Sequence, residues 1–452
     1  MDIFIVVLLG RVGANATASA SGTAGLTEGG SVQHHDEADD EVADEIIDTL
    51  RRWVDEVVVP GSSALELADE YPTEMAAQME EFGLFGATIP TPYGGLDLDH
   101  VTYARVIEEL SRGWMSLAGI VNSHLICAKL ISRFGTDEQR NRSLPAMATG
   151  KLRGCFSLSE PDSGSDAGAL RCRAVRDGDE FIINGTKMWV TNGERAGIVA
   201  LLARVPEGDP SGSSGITCFL VDKTPGKHSG GITVSRKIDK IGYRGLETVE
   251  MSYVDHRVPA DRVLGGDGVG SAGGASVGGR AGDDGDGSSA SDGTAGNGIG
   301  NGLRWALAAL ELGRINVAAR GVGVAQAAYD AAVAYAKERE AFGKPISKHQ
   351  AIAFKIAEMA TKLHAARLMT YDAARKADAG ERVDLAAGMA KLFASETAAE
   401  LSLDAMRIHG GNGFSTEYPV ERYYRDAPLM IIGEGTSEIQ KLVISRALLA
   451  DD

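Results

Sequence analysis

The chain has 452 residues, room for two or three domains, and its 44% hydrophobic content excludes a disordered protein. A formal net charge of −18 and a pI near 5.0 argue against nucleic acid or anionic membrane surfaces as main partners. Lysine supplies only 15 of the 45 cationic residues, and an acidic, Arg-weighted balance of this kind suits a halophile, whose salt screens self-repulsion.

The opening "MDIFIVVLLG" lacks the basic start of a signal peptide and falls short of the about 20 apolar residues of a membrane span. No other stretch reads as a span, so the expected location is cytoplasmic. Residues 11–40 are rich in Ala, Gly, Ser, Thr and Asp, and residues 1–40 as a whole read as a disordered tail. His34 and His35 within it have no further ligands beside them, so no metal site is expected.

Residues 41–153 read as an N-terminal helical domain. Val42, Ile46, Ile47, Leu50, Trp53, Val54 and Val57 recur on one helical face. Further helices are expected in "TEMAAQMEEFGLFG", "HVTYARVIEELSRG" and "LICAKLISRFG", with "TPYGGLD" as a turn. Residues 154–264 read as a middle β-domain of short apolar runs separated by Gly, Asn and Asp, and Asn184-Gly185 predicts a hairpin turn. The four cysteines, Cys127, Cys155, Cys172 and Cys218, are scattered as in a reduced protein.

Residues 265–302 hold 16 of the 57 glycines and almost nothing apolar, and read as a disordered insertion. Long helices are expected at 303–338, 346–378 and 384–409 within a C-terminal domain of 303–452. The order α, β, α fits an α+β multidomain protein, not a doubly wound sheet.

Four stretches carry candidate chemistry. "SLSEPDSGSDAG" (157–168) is a hydroxyl-rich turn that offers donors to an anion or a heteroaromatic edge. "KMWVTNG" (187–193) places Trp189 and Thr191 on one face of a strand. "RIHGGNGFSTEYPVER" (407–422) joins a basic helix end to a glycine run, which by itself also suits a plain helix cap. "MIIGEGTSEIQ" (430–440) sets Glu434 between Gly433 and Gly435, which can adopt positive φ, ahead of a helix that Thr436 is placed to cap. A lone Gly-Glu-Gly is ordinarily a solvated turn. No Rossmann or Walker motif, metal-ligand cluster or nucleophile elbow accompanies these stretches.

In this order and spacing, "SEPDSGSDAG", "KMWVTNG", "KIGYRGLETVEMSYVDHRVP", "REAFGKPISKHQAIAFKIAEMA", "HGGNGFSTEYPVERYYRDA" and "EGTSEIQ" resemble the acyl-CoA dehydrogenase family, from about residue 41 to the end. The resemblance implies a helical N-terminal domain, a β-barrel-like middle domain and a C-terminal four-helix bundle, assembled as a homotetramer with FAD between the β-domain and the bundle. By position, Phe156, Leu158 and Ser159 would line the isoalloxazine, and Trp189 and Thr191 would cover its other face. Ser165 would reach the pyrophosphate and the acyl-CoA. Arg339, Phe342, Gln350, Arg407, Gly410 and Gly411 would hold the partner subunit's FAD, with Thr436 and Glu438 as further FAD contacts. Gly313, Arg314 and Gly435 would lie near the acyl-CoA.

Glu434 matches the family's catalytic base. The resemblance thus implies α,β-dehydrogenation of an acyl-CoA, with Glu434 taking the α-proton, the β-hydrogen leaving as hydride to the flavin, and electrons passing to an electron-transferring flavoprotein. An oxidase that uses O2 directly and a non-catalytic scaffold of the same fold are the alternatives. Departures from the pattern are Gly433 for a frequent Tyr, Arg407 for Gln, Ala341 for Thr and Leu246 for Ser.

Overall fold

The computed structural model describes residues 37–209, 214–268 and 297–449. Most of the expected tail, with His34 and His35, and the middle of the glycine-rich insertion lie outside the described residues. In chain order the helices are α1 (Glu37–Trp53), α2 (Val59–Ala68), α3 (Thr73–Glu81), α4 (His100–Phe134), α5 (Asp137–Ala148), α6 (Gly302–Glu338), α7 (Gln350–Asp378), α8 (Asp384–His409), α9 (Val420–Asp426), α10 (Pro428–Ile432) and α11 (Ser437–Leu449). Between α5 and α6 lie β1 (Gly154–Ser157), β2 (Arg173–Asp177), β3 (Glu180–Thr191), β4 (Ile198–Val205), β5 (Gly215–Asp222), β6 (His228–Ser229), β7 (Ile232–Lys237) and β8 (Thr248–Pro259). A small hairpin of β9 (Glu340–Ala341) and β10 (Lys344–Pro345) follows α6.

The chain divides into two compact units. The first takes the described residues up to Asn122, the segment Asp239–Leu246, and the chain from Leu310 onward. Its α1 continues through a π-turn at Val54–Val58, where the Val59 N–H reaches back to Val54. The wider turn adds a residue to the period, so the buried stripe runs Ile46, Ile47, Leu50, Trp53, Val54 and then Val58 instead of the expected Val57. Within α4 two helical stretches meet at a kink that follows the first of the two expected helices. At Trp114 its backbone is extended (φ −160°, ψ 111°), and the indole N–H donates to the buried Glu66 carboxylate at 2.9 Å. Gly245 is obligatory against this ring, since a Cβ there would stand 2.2 Å from it. Helix α4 is long and apolar enough to cross a membrane, which the sequence reading missed, but 89% of its apolar 18-residue window is buried in the protein and it reads as a core helix. Helix α7 starts at Gln350, after a 3₁₀ turn at Ile346–Lys348 that occupies the start of the expected helix.

Segment Asp239–Leu246 leaves the strands and packs within this first unit. Lys240 Nζ donates to the Leu246 carbonyl at 2.8 Å, the Tyr243 N–H donates to Asp426 Oδ1 at 2.6 Å, and Arg244 N–H donates to Glu66 at 3.0 Å. Burial, reinforced by Glu66, raises the Asp426 pKa to about 7 against the opposing pull of Arg422. Leu246 is fully buried, which suits an apolar side chain in place of the family's frequent Ser.

The second unit, Ser123–Ile238 with Glu247–Ala309, is built on a mixed sheet in the order β1-β4-β2-β3-β8-β7-β6, with β5 added on β4. Strand β4 runs parallel to β1 and β2, and the other pairs are antiparallel. Its core gathers Phe181, Ile183, Val199, Leu201, Phe219, Val249, Met251 and Tyr253, with the Phe181 and Phe219 rings edge to face at 5.1 Å. All four cysteines are buried free thiols. The expected hairpin at Asn184-Gly185 is not a turn. The β2–β3 reversal falls at Gly178-Asp179, and Asn184-Gly185 lies inside β3 at a register shift against β8. Gly185 (φ 154°) is needed there for close approach, because a Cβ would lie 2.7 Å from the Cys172 Cα. The ends of the glycine-rich stretch meet, with Gly298 N–H donating to the Gly266 carbonyl at 2.6 Å.

Candidate active site

Helix α10 ends at Gly433, whose backbone is extended (φ −73°, ψ 153°). The positive φ values fall instead on Glu434 (53°) and Gly435 (90°), so the acid itself sits in the left-handed region. For a residue with a Cβ this costs roughly 1–2 kcal/mol, and such strain persists only where the surroundings over-determine it. They do so here. Buried Lys391 on α8 donates to the Gly435 carbonyl at 2.7 Å, and Gln440 Nε2 donates to the same oxygen at 3.0 Å. Thr436 caps α11 through Oγ1, which accepts from the Ile439 N–H at 3.3 Å. Burial lowers the Lys391 pKa to about 8, aided by Arg320 and Arg314 and opposed by Glu434 and Glu396.

The Glu434 side chain is 19% exposed, and its two oxygens differ. Oε1 accepts from Asn122 Nδ2 at 2.8 Å and from an Arg320 Nη at 2.7 Å. Oε2 is buried with no hydrogen-bond donor, and it faces Gly313 on α6, where a Cβ would stand 2.5 Å from it. The missing side chain at 313 therefore makes room for this carboxylate. Arg320 Nε donates to Asn316 Oδ1 at 2.7 Å and another nitrogen reaches the Tyr243 hydroxyl at 3.5 Å, while Asn316 Nδ2 donates to the Tyr103 hydroxyl at 2.9 Å. Burial raises the pKa of both phenols, that of Tyr243 to about 12, so both remain hydroxyls. The arrangement is a carboxylate with one oxygen tied and one free, in a wall of charged and polar groups.

In the second unit, two expected stretches come together. The Met188 N–H donates to the Ser159 carbonyl at 2.9 Å. Fully buried Lys187 donates to the Leu158 carbonyl and to Glu160 Oε1, both at 2.8 Å. Glu160 also accepts from the Arg171 and Cys172 N–H groups at 2.6 and 2.8 Å. Burial pushes the Glu160 pKa up, but Lys187 and these N–H groups outweigh it and leave it below the usual value. Trp189 (φ 63°) lies at a register shift between Lys187 and Val190, where an extra residue turns the indole outward, 56% exposed, beside half-buried Thr191 and opposite buried Val190. Phe156, Leu158 and Ser159 are half-buried and Ser165 is exposed.

In the first unit, Arg339, Phe342 and Gln350 surround the β9–β10 hairpin and are exposed, Phe342 at 96% and with φ 54°. Exposed Arg407 and Gly410-Gly411 end α8, where Tyr335 stacks on His409 at 4.2 Å and draws that end to the end of α6. Arg407 donates to Asp404 at 3.1 Å, and a Cβ at Gly411 would meet nothing within 4 Å. Arg314 is half-buried on α6 and Glu438 is exposed on α11. Positive φ at non-glycine Trp189, Tyr243, Phe342 and Glu434 falls within stretches that carried the family resemblance.

The acyl-CoA dehydrogenase N-terminal, middle and C-terminal domain families match residues 40–151, 155–255 and 300–449. The mitochondrial short-chain specific acyl-CoA dehydrogenase of Homo sapiens is 37% identical over 407 residues, 89% of this chain and 89% of that protein. The chain belongs to the acyl-CoA dehydrogenase family. It is an oxidoreductase that performs flavin-dependent dehydrogenation of acyl-CoA, and its cofactor is FAD. Two solved structures share the fold. One is described as "Electron transferring flavoprotein of Acidaminococcus fermentans: Towards a mechanism of flavin-based electron bifurcation", with TM-score 0.79, 34% identity, and coverage of 90% of this chain and 98% of that one. The other is a glutaryl-CoA dehydrogenase from Mycobacterium smegmatis in complex with FADH2, with TM-score 0.78, 28% identity, and coverage of 92% and 95%.

The residues present fit FAD. In the second unit an outward indole at a strained bulge offers a stacking surface, and the Ser159 and Thr191 hydroxyls of the same unit offer donors. Sequence reasoning missed Asn122, Arg320, Lys391 and the Lys187–Glu160 pair. For Arg320 a signal was present, because Gly313, Asn316 and Arg320 recur at helical spacing along an otherwise Ala- and Val-rich helix.

Proposed function

We propose that this acyl-CoA dehydrogenase oxidises a short or branched acyl-CoA to the trans-2-enoyl-CoA, with Glu434 as the base and an electron-transferring flavoprotein as acceptor. The observation that carries the reading is the Glu434 carboxylate, with Oε1 bonded to Asn122 and Arg320 and Oε2 unbonded beside Gly313. A carboxylate is a weak base toward a carbon acid, so it must be placed, desolvated and aimed. Burial of Oε2 without a donor leaves its lone pairs for a substrate proton. FAD supplies the hydride acceptor for the β-hydrogen. Trp189, Thr191 and Ser159 would hold its ring system, and Arg339, Phe342, Gln350, Arg407, Gly410 and Gly411 would hold FAD of a neighbouring subunit in a homotetramer. Exposed Phe342 and Phe414, at 96% and 89%, support such an assembly, since apolar surface of this kind asks for cover.

A short acyl group is supported by what surrounds the base. Tyr103, Asn316, Arg320 and Tyr243 present hydroxyls, amides and a guanidinium, which a long alkyl chain would have to strip of their bonds. The human relative's name points the same way. The acceptor is supported by the likeness to the flavoprotein structure. Steady-state turnover of a C4 to C16 acyl-CoA series, with electron-transferring flavoprotein or O2 as the sole acceptor, tests both parts. The expected result is the highest kcat/KM on short or branched chains and turnover that requires the flavoprotein. Rapid turnover in air alone, or a preference for long chains, would overturn the corresponding part.

A further inference from the structure

The reading of Glu434 as base leaves open why a buried guanidinium is paired with it. The Arg320 side chain is 4% exposed, and a buried ion pair is poor evidence of a stabilising device, because apolar replacements of similar volume are often as stable or more so. Its geometry suggests another role. Three nitrogens of the guanidinium point to three partners, Asn316 Oδ1 at 2.7 Å, the Tyr243 hydroxyl at 3.5 Å and Glu434 Oε1 at 2.7 Å. Asn316 stands one turn before Arg320 on α6 and is itself bonded to Tyr103 at 2.9 Å, so the planar fork is oriented before it meets the acid. Asn122 of α4 adds a second donor to the same oxygen. Both donors converge on Oε1, and none reaches Oε2.

We propose that Arg320 is a positioning residue for proton abstraction: anchored by Asn316, it clamps Oε1 of Glu434 so that Oε2 is the oxygen presented to the substrate. A Glu side chain has three rotatable bonds, and the glycine at 313 leaves the space of a missing side chain to its head group. Without the clamp the carboxylate would sample that space and lose its aim. The inference rests on Glu434 being the base, and the test separates the two.

Arg320→Met, Arg320→Lys and Glu434→Gln are compared as FAD-loaded proteins for FAD content, affinity for an enoyl-CoA product, and the rate of flavin reduction in a single anaerobic turnover. The clamp predicts that Arg320→Met keeps FAD and enoyl-CoA binding while reduction slows on the order of 10²-fold, the scale of an Å-sized misplacement. Arg320→Lys should recover about tenfold of this, and Arg320→Met should add less than about twofold to Glu434→Gln, as for residues acting as a unit. Reduction by Arg320→Met within about threefold of the parent overturns the clamp, as does a loss that merely follows FAD content. If Arg320→Met does not load FAD, Asn316→Ala decides, because it removes the anchor and keeps both charges. A rate about tenfold lower at unchanged FAD content supports the clamp, and an unchanged rate overturns it. Normal reduction by Glu434→Gln would instead remove the base assignment.

Discussion

Glu434→Gln should keep FAD and still bind acyl-CoA, while its flavin reduction is expected to fall by about 10³-fold or more, toward the upper end of what a general base contributes. The amide is nearly isosteric with the acid. Its oxygen can accept from Asn122 and Arg320 as Oε1 does, at 2.8 and 2.7 Å in the parent, and this turns the NH₂ group toward Gly313. A donor then stands where the basic oxygen stood, and no lone pair is available for the α-proton. Arg320 loses its counter-charge, so some stability is lost as well, and FAD content is measured beside the rate to keep the effects apart. Stopped-flow reduction within about tenfold of the parent would remove Glu434 from the chemistry.

Gly313→Ala should move stability and activity in opposite directions. Gly313 lies inside α6, where alanine is favoured over glycine by about 1 kcal/mol, so the helix gains. The added Cβ, however, would stand 2.5 Å from Glu434 Oε2, and the carboxylate has to swing away. A displacement of this size should slow flavin reduction on the order of 10²-fold while thermal stability stays level or rises. Both are read on one preparation, by melting and by single-turnover kinetics. Undiminished reduction would show that Oε2 does not need the position it holds beside α6. The same geometry defines a relocation test. Glu434→Gly combined with Gly313→Glu removes the obstructing oxygen and supplies a carboxylate from α6, and it should recover part of the rate that Glu434→Gln loses.

The sequence spoke most clearly where periodicity or a covalent preference acts locally. The α1 stripe, the long C-terminal helices, the Thr436 cap and the shared face of Trp189 and Thr191 follow from spacing and residue type, whereas the bulge that turns the indole outward does not. Asn184-Gly185 misled because the same backbone freedom that suits a turn also suits a strand that must pass close to Cys172, and only the pairing of β3 with β8 tells the two apart. Val57 gave way to Val58 because a π-turn is set by packing, not by propensity.

At the site, Glu434 and Gly313 stood out from the family pattern, but the reason for the glycine did not. It lies in the 2.5 Å that would separate an added Cβ at 313 from Glu434 Oε2, a tertiary proximity that no local signal encodes. Arg320 was visible as a cation on an apolar helix, yet its partner could not be read, since Asn122, Arg320 and Glu434 come from three distant parts of the chain. Likewise "KIGYRGLE" was a recognisable string, whereas its work of bringing Tyr243 to Arg320 is a tertiary fact.

Anaerobic titration of the FAD-loaded protein with short acyl-CoA thioesters decides whether Glu434 drives reduction of the flavin by substrate. The visible flavin absorption should be bleached, with one trans-2-enoyl-CoA formed per flavin reduced and no bleaching in Glu434→Gln on the same timescale. A folded, FAD-loaded protein whose flavin no acyl-CoA reduces, or whose Glu434→Gln form bleaches as fast as the parent, would contradict this role of Glu434.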